Sequence, residues 1–215
     1  MEIDSDRYKK IMKGTTTVGL ICSDGVVMGA DSRATMDTFI ASSEARKVWK
    51  IDDNLGLTIA GGVGDAQELV RLLKAQNEIY KMDEGKPLSP KSANSLLSII
   101  MQENKMMPFY VQLIVGGIDA SGEPQLFSID PVGGSSQESK FTATGSGSLT
   151  ALGYIEESYK KGMTTKDAVK LVAKALSIAM RRDAATGDHM TVVVISKSGF
   201  TEYTDKDLEK MVSAK

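Results

Sequence analysis

A single cysteine, Cys22, cannot close a disulfide within the chain, so a disulfide-stapled secreted scaffold is excluded. A lone thiol suits a reducing cytoplasm. The single histidine, His189, leaves no cysteine–histidine cluster of metal-binding type, and neither a metal nor another cofactor is expected. Charge of one sign is equally scarce. A net charge of −2 offers no electrostatic basis for binding nucleic acid or an anionic membrane. No apolar run approaches the roughly 20 residues that a membrane-spanning helix needs. The first residues include Glu2, Asp4 and Asp6 and lack the apolar core of a secretory signal. Internal repeats and low-complexity tracts are missing as well. The 215 residues are 41% hydrophobic and 25% charged, which is the make-up of one globular domain with a sizeable core.

The chain divides by pattern. Residues 1–14 are polar and aperiodic and read as a leader or a frayed terminus. From Thr16 to Cys22 β-branched residues dominate, Ser23-Asp24-Gly25 signals a hairpin, and Val26 to Ala30 returns as a strand closed by Asp31. Residues 32–47 look irregular. Short strands are predicted at Val48–Ile51 and Leu55–Ala60. Gly61-Gly62-Val63-Gly64 then opens a helix with Ala66, Leu69, Val70, Leu73, Asn77 and Tyr80 on one face. A second helix follows Pro90, with Ala93, Leu96, Leu97, Ile100 and Met101 aligned. Strands are predicted at Val111–Ile118, Gln125–Ile129 and Lys140–Thr144. Gly145-Ser146-Gly147-Ser148 opens a third helix, and Thr164 with Asp167 forms a capping box for a fourth. Strands at Met190–Ile195 and Gly199–Thr204 and a short polar helix end the chain. Strands alternating with helix pairs predict an α+β fold, two packed sheets with a helix pair on each outer face.

The candidate chemistry centres on Gly14-Thr15-Thr16-Thr17. A cut between Gly14 and Thr15 would leave a threonine carrying both a hydroxyl nucleophile and a free α-amine to serve as its base. Gly14 has no Cβ, so the peptide before Thr15 can take the strained geometry that self-attack needs. The methyl of Thr15 restricts χ1 and aims the oxygen. Lys47 would lower the hydroxyl pKa and keep a neighbouring amine neutral, and Asp31 would anchor it. Otherwise Lys47 is a solvated lysine and Asp31 a strand-capping aspartate. The glycines at 61–64 precede Asp65-Ala66 rather than Lys-Ser/Thr, which argues against a phosphate loop. They fit an oxyanion hole at a strand-to-helix junction, or simply a tight turn. Ser146 and Asp183 could form a supporting hydrogen-bonded shell, though spacing alone does not select them. His189 lacks a nucleophile-elbow partner, and Cys22 reads as core.

Several stretches carry a resemblance. They are Gly-Thr-Thr-Thr-Val-Gly at 14–19, Gly-Ala-Asp-Ser-Arg at 29–33 and Arg-Lys-Val-Trp-Lys-Ile at 46–51. Ala-Gly-Gly-Val-Gly-Asp-Ala-Gln at 60–67, Gly-Ser-Gly-Ser at 145–148 and Arg-Asp-Ala-Ala-Thr-Gly-Asp at 182–188 continue the series. Taken in order from Gly14 to about Ile195, they resemble the catalytic β subunits of the proteasome core, in the archaeal style.

The resemblance implies the N-terminal-nucleophile hydrolase fold, a four-layer αββα sandwich of two antiparallel sheets. It implies a propeptide, residues 1–14, removed by autocatalysis, and one catalytic domain from 15 to 215. It matches Thr15 to the nucleophile and base, Asp31 and Lys47 to its charged partners, and Gly61 to the oxyanion N–H. Ser146 and Asp183 match the pair near the amine, Arg33 a structural arginine, and Thr186 a position where many relatives carry serine. Ala34, Ala45, Trp49, Ile59 and Val63 match the specificity pocket. Small or apolar and free of charge, they favour cleavage after hydrophobic residues. The partners implied are proteasome α subunits, other β subunits in heptameric rings stacked α-β-β-α, a regulatory ATPase ring and unfolded polypeptide substrate, in the cytoplasm. The nearest rivals are the bacterial two-component threonine protease, a non-catalytic ring subunit and a small-molecule amidase of the same fold.

Overall fold

The computed structural model describes residues 14–213. The expected leader, apart from Gly14, lies outside the described residues.

Two five-stranded antiparallel sheets form the centre. The first contains β1 (Thr17–Cys22), β2 (Gly25–Asp31), β10 (Phe141–Thr144), β11 (Met190–Ser196) and β12 (Gly199–Tyr203), in the order β10-β1-β2-β11-β12. The second runs in chain order through β5 (Val48–Asp52), β6 (Leu55–Gly61), β7 (Val111–Ile118), β8 (Pro124–Ile129) and β9 (Ser135–Glu138). Helices α1 (Val63–Glu84) and α2 (Pro90–Glu103) cover the second sheet. Helices α3 (Ser148–Ser158) and α4 (Thr165–Arg182) cover the first, and α5 (Asp205–Ser213) packs beside α4. This is the αββα sandwich.

Three apolar layers follow from period-two alternation in strands covered on both faces. Val27, Val192 and Val194 point outward to Val172 and Leu176 of α4. Their neighbours Val26, Met28, Val193 and Ile195 point inward and meet Ile114 and Leu126 of the opposing sheet. Leu113, Val115 and Phe127 then face Leu69, Leu73 and Leu97 of α1 and α2. Because both faces are buried, the central strands read as near-continuous apolar runs, which is why they stand out in the sequence.

Helix signals are largely local, and they match as well. Thr164 accepts from the Asp167 N–H, the N-cap half of the expected capping box of α4. Asn77 is a polar residue on the buried face of α1. Its side chain donates to Asp52 at 2.7 Å and accepts from the Leu88 N–H at 3.0 Å, so its burial leaves neither group unpaired.

Two elements depart from expectation. Residues 32–47 hold a hairpin, β3 (Ala34–Met36) with β4 (Phe39–Ser42), with a register shift next to Ala34. Its residues are mostly exposed, so no burial pattern marks it. Strand β9 is a polar edge strand, Ser-Ser-Gln-Glu, which lacks apolar alternation for the same reason.

Candidate active site

One end of both sheets gathers the residues in question. The start of β1, the end of β2, the end of β10 and the start of β11 lie side by side, since Thr17 pairs with Ala30 and Thr144, and Asp31 with Met190. The end of β6 completes the group from the second sheet. A cleft of about 680 Å³ opens there, lined by Gly14, Thr15, Lys47, Gly61 and Gly62 among others.

Thr15 is 5% exposed and sits just before β1. Its hydroxyl donates to the Gly14 carbonyl at 2.5 Å, and its N–H donates to Ser146 Oγ at 3.3 Å. Gly14 adopts a φ of +110°, and a Cβ there would sit 2.2 Å from Thr35 Oγ1. Both facts demand glycine before the threonine.

Lys47, 8% exposed, spends all three ammonium protons on protein oxygens. It donates to Asp31 Oδ1 at 2.9 Å, to the Gly14 carbonyl at 3.1 Å and to the Arg33 carbonyl at 2.5 Å. Asp31 is just as fully engaged. Oδ1 also accepts from the Thr16 N–H at 2.9 Å, and Oδ2 accepts from the N–H groups of Arg33 at 3.1 Å and Gly187 at 3.0 Å. Burial pushes the Lys47 ammonium below its ordinary pKa against the pull of Asp31, and it raises the Asp31 carboxyl against the pull of Lys47. The pair is held ionised by its hydrogen bonds rather than by solvent.

A second network reaches the Thr15 nitrogen. Ser146 Oγ donates to Asp183 Oδ2 at 2.5 Å, and Thr186 Oγ1 donates to the same oxygen at 2.6 Å. With its proton committed there, Thr186 accepts from Thr16 Oγ1 at 2.9 Å. The loop carrying these groups is pinned by Arg33. Its guanidinium binds Asp188 through both terminal oxygens, at 3.0 and 3.1 Å, and donates to the Ala184 carbonyl at 3.0 Å. Arg33 holds the Asp188 carboxyl below the usual carboxylate range.

Gly61 ends β6 with a φ of +129°. A Cβ there would lie 2.1 Å from the Tyr110 carbonyl oxygen and 2.9 Å from Val111 Cα, both backbone atoms. Gly61→Ala is therefore expected to cost more than about 1 kcal/mol of stability and to displace the turn. Thermal unfolding checks this; an unchanged melting temperature would show that the turn tolerates a side chain.

Comparisons with known proteins give the family. Residues 11–195 match the family model described as proteasome subunit. The chain belongs to the proteasome subunit family. It is 48% identical to "Proteasome subunit beta" of Methanococcus aeolicus over 211 residues, 98% of this chain and 97% of that relative. To the Methanococcus vannielii protein of the same name it is 50% identical over 208 residues, covering 97% and 95%. To that of Methanosphaerula palustris it is 43% identical over 203 residues, covering 94% and 96%. The function that goes with this membership is proteolysis in the proteasome core by a threonine-type endopeptidase.

Within this proteasome subunit the structure brings Thr15, Asp31, Lys47, Ser146, Asp183 and Thr186 into connected hydrogen-bond networks, with Arg33 bracing them. Ala34, Ala45, Trp49, Ile59 and Val63 all line the cleft. The same cleft also takes the charged residues Asp37, Glu44, Arg46 and Lys47 into its lining. Arg46 is partly committed elsewhere, to Glu202 at 3.2 Å and over the Trp49 ring at 5.4 Å. His189 stands apart, 2.7 Å from Asp205. Cys22 is buried in the core, where desolvation pushes its thiol up to about 12. Sequence reasoning missed Thr16, Gly187 and, apart from Ala34, the lining contributed by the hairpin. The first two lay inside motifs already noticed; the hairpin gave no signal. Among the described residues no group could hold a metal ion, and no helix is long and apolar enough to cross a membrane.

Proposed function

We propose that Thr15 is the nucleophile and, once self-cleavage has removed residues 1–14, its own general base. One observation carries this: the Gly14 carbonyl oxygen accepts from both the Thr15 hydroxyl and the Lys47 ammonium. In the uncleaved chain the hydroxyl is placed beside the carbonyl it would attack. The ammonium is placed where negative charge would gather on the oxygen. Attack forms a bond from Thr15 Oγ1 to the Gly14 carbonyl carbon and breaks the Gly14–Thr15 C–N bond. The hydroxyl proton passes to the departing nitrogen. Water then hydrolyses the resulting ester, leaving a carboxylate on Gly14 and a free amine on Thr15.

Loss of Gly14 removes one acceptor from Lys47, so one ammonium proton becomes available beside the Thr15 hydroxyl. A free α-amine has an ordinary pKa of roughly 7.7–8.0, suited to a base near neutral pH, and the adjacent cation favours its neutral form. Ser146, held by Asp183, orients that amine. In proteolysis Thr15 Oγ1 attacks the substrate carbonyl, and its proton moves through water to the amine and on to the departing peptide nitrogen. The Gly61 N–H receives the oxyanion. Water cleaves the acyl ester and restores the hydroxyl.

The apolar part of the cleft supports cleavage after hydrophobic residues. Family membership supports assembly into heptameric β rings between α rings, fed with unfolded polypeptide by an ATPase ring in the cytoplasm. A peptide epoxyketone with a hydrophobic residue next to its ketone tests the assignment, since it needs both hydroxyl and free amine. Mass spectrometry should find the adduct on Thr15 of the assembled particle, with peptidase activity lost in step. Full labelling at another residue would overturn the assignment.

A further inference from the structure

The oxyanion turn and the Ser146 turn come from different sheets, yet both must keep their distance from Thr15. The chain entering β7 touches both. The Tyr110 carbonyl accepts from the Gly62 N–H at 2.9 Å, and the Tyr110 N–H donates to Asp65 Oδ2 at 2.7 Å. Two residues on, Gln112 Oε1 accepts from the Gly145 N–H at 3.1 Å.

These bonds are not the ordinary ones of their elements. Asp65 stands in the first turn of α1, where an acidic side chain commonly answers the helix's own unpaired N–H groups. Here it instead bonds the backbone preceding a neighbouring strand. Gln112 belongs to the second sheet, whereas Gly145 follows β10 of the first. Gly145 itself is wedged in place. A Cβ there would lie 2.1 Å from the Thr15 carbonyl oxygen and 3.3 Å from Ala60 Cβ. The next two residues address Thr15 directly, Ser146 through its hydroxyl and Gly147 through an N–H 3.4 Å from the Thr15 carbonyl.

We propose that Gln112 and Asp65 are positioning residues for the peptidase reaction. Through the 110–112 backbone they clamp the Gly61–Gly62 turn and the Gly145–Ser146 turn at a fixed separation on either side of Thr15. Neither side chain needs to touch substrate. The clamp sets where the oxyanion donor and the amine-orienting serine stand relative to one nucleophile. The inference rests on the assignment of Thr15 and Gly61 above. A small displacement of either turn spoils the transition state more than the bound substrate, so the loss belongs in kcat.

The test uses assembled particles carrying Gln112→Met, which keeps length and loses the acceptor, and Gln112→Glu, which keeps an acceptor oxygen. Gln112→Met should lower kcat for a hydrophobic fluorogenic peptide roughly tenfold, with KM within about twofold, and slow epoxyketone labelling of Thr15 in parallel. Gln112→Glu should recover most of that loss. Asp65→Ala makes the same test at the other end and carries it alone if Gln112→Met does not assemble. Unchanged kcat in assembled Gln112→Met or Asp65→Ala particles, or a loss of stability with no change in kcat, would overturn the clamp. If wild-type particles are not labelled at Thr15, the nucleophile assignment fails, and the clamp with it. Normal wild-type labelling with an unaffected variant removes the clamp alone.

Discussion

Thr15→Ala is expected to abolish peptidase activity, by at least ~10³–10⁴-fold, and to leave residues 1–14 attached to the chain. Both effects have one cause. The hydroxyl that donates to the Gly14 carbonyl at 2.5 Å is the group that attacks that carbonyl in the proposed self-cleavage. Removing it leaves the Gly14–Thr15 bond intact, so the α-amine stays an amide nitrogen and cannot accept a proton. The remaining architecture should survive. Thr16 still bonds Asp31 and Thr186, and Thr17 still bonds Thr144 at 2.7 Å. Thr15→Ser separates the hydroxyl from the methyl that orients it. It should retain cleavage at a reduced rate, because serine explores more χ1 positions. Intact-mass measurement and a fluorogenic peptide assay read both variants. Normal leader removal in Thr15→Ala would contradict self-cleavage.

Lys47→Met should be almost as damaging to activity, and unlike Thr15→Ala it should also destabilise the fold. The ammonium neutralises a carboxyl that is 2% exposed and gives hydrogen bonds to two backbone carbonyls. Breaking a buried ion pair at one partner typically costs about 3–5 kcal/mol. Here Asp31 keeps three backbone N–H donors, which places the expected loss at the lower end of that range. Lys47→Arg should not rescue. A planar guanidinium cannot aim at three oxygens that a tetrahedral ammonium reaches from one point. The pH dependence has a definite sign. Burial lowers the Lys47 pKa, so the ammonium that the proposed reaction needs is lost at a lower pH than for an exposed lysine. The alkaline limb of kcat/KM should therefore begin below the ordinary lysine range. Urea unfolding and a pH–rate profile on the assembled particle check these outcomes; full activity in Lys47→Met would remove the lysine from the mechanism.

The legible parts of the sequence were those where burial is two-sided or signals are local. Strands β1, β2, β6, β7 and β11 are runs of apolar residues because helices and the facing sheet cover both faces. The cap at Thr164 and the aligned face of α1 need only neighbours in sequence. The hairpin at 34–42 and the strand at 135–138 were illegible because they face solvent and obey no hydrophobic period. For the site, Thr15 drew notice through its own chemistry, a hydroxyl behind a glycine. Lys47 and Asp31 were intelligible only as partners for it, and Ser146, Asp183 and Thr186 only through the family resemblance. Gln112 shows the limit. Its hydrogen bond to Gly145 spans two sheets, and nothing in Tyr-Val-Gln-Leu marks a glutamine as bound across that gap.

In the proposed mechanism the free amine of Thr15 is the group on which every later step depends. Mass spectrometry of the β chain from assembled particles that digest casein determines whether it exists. A mature chain beginning at Thr15 is expected. Active particles whose chains all retain Gly14 ahead of Thr15 would contradict the mechanism outright.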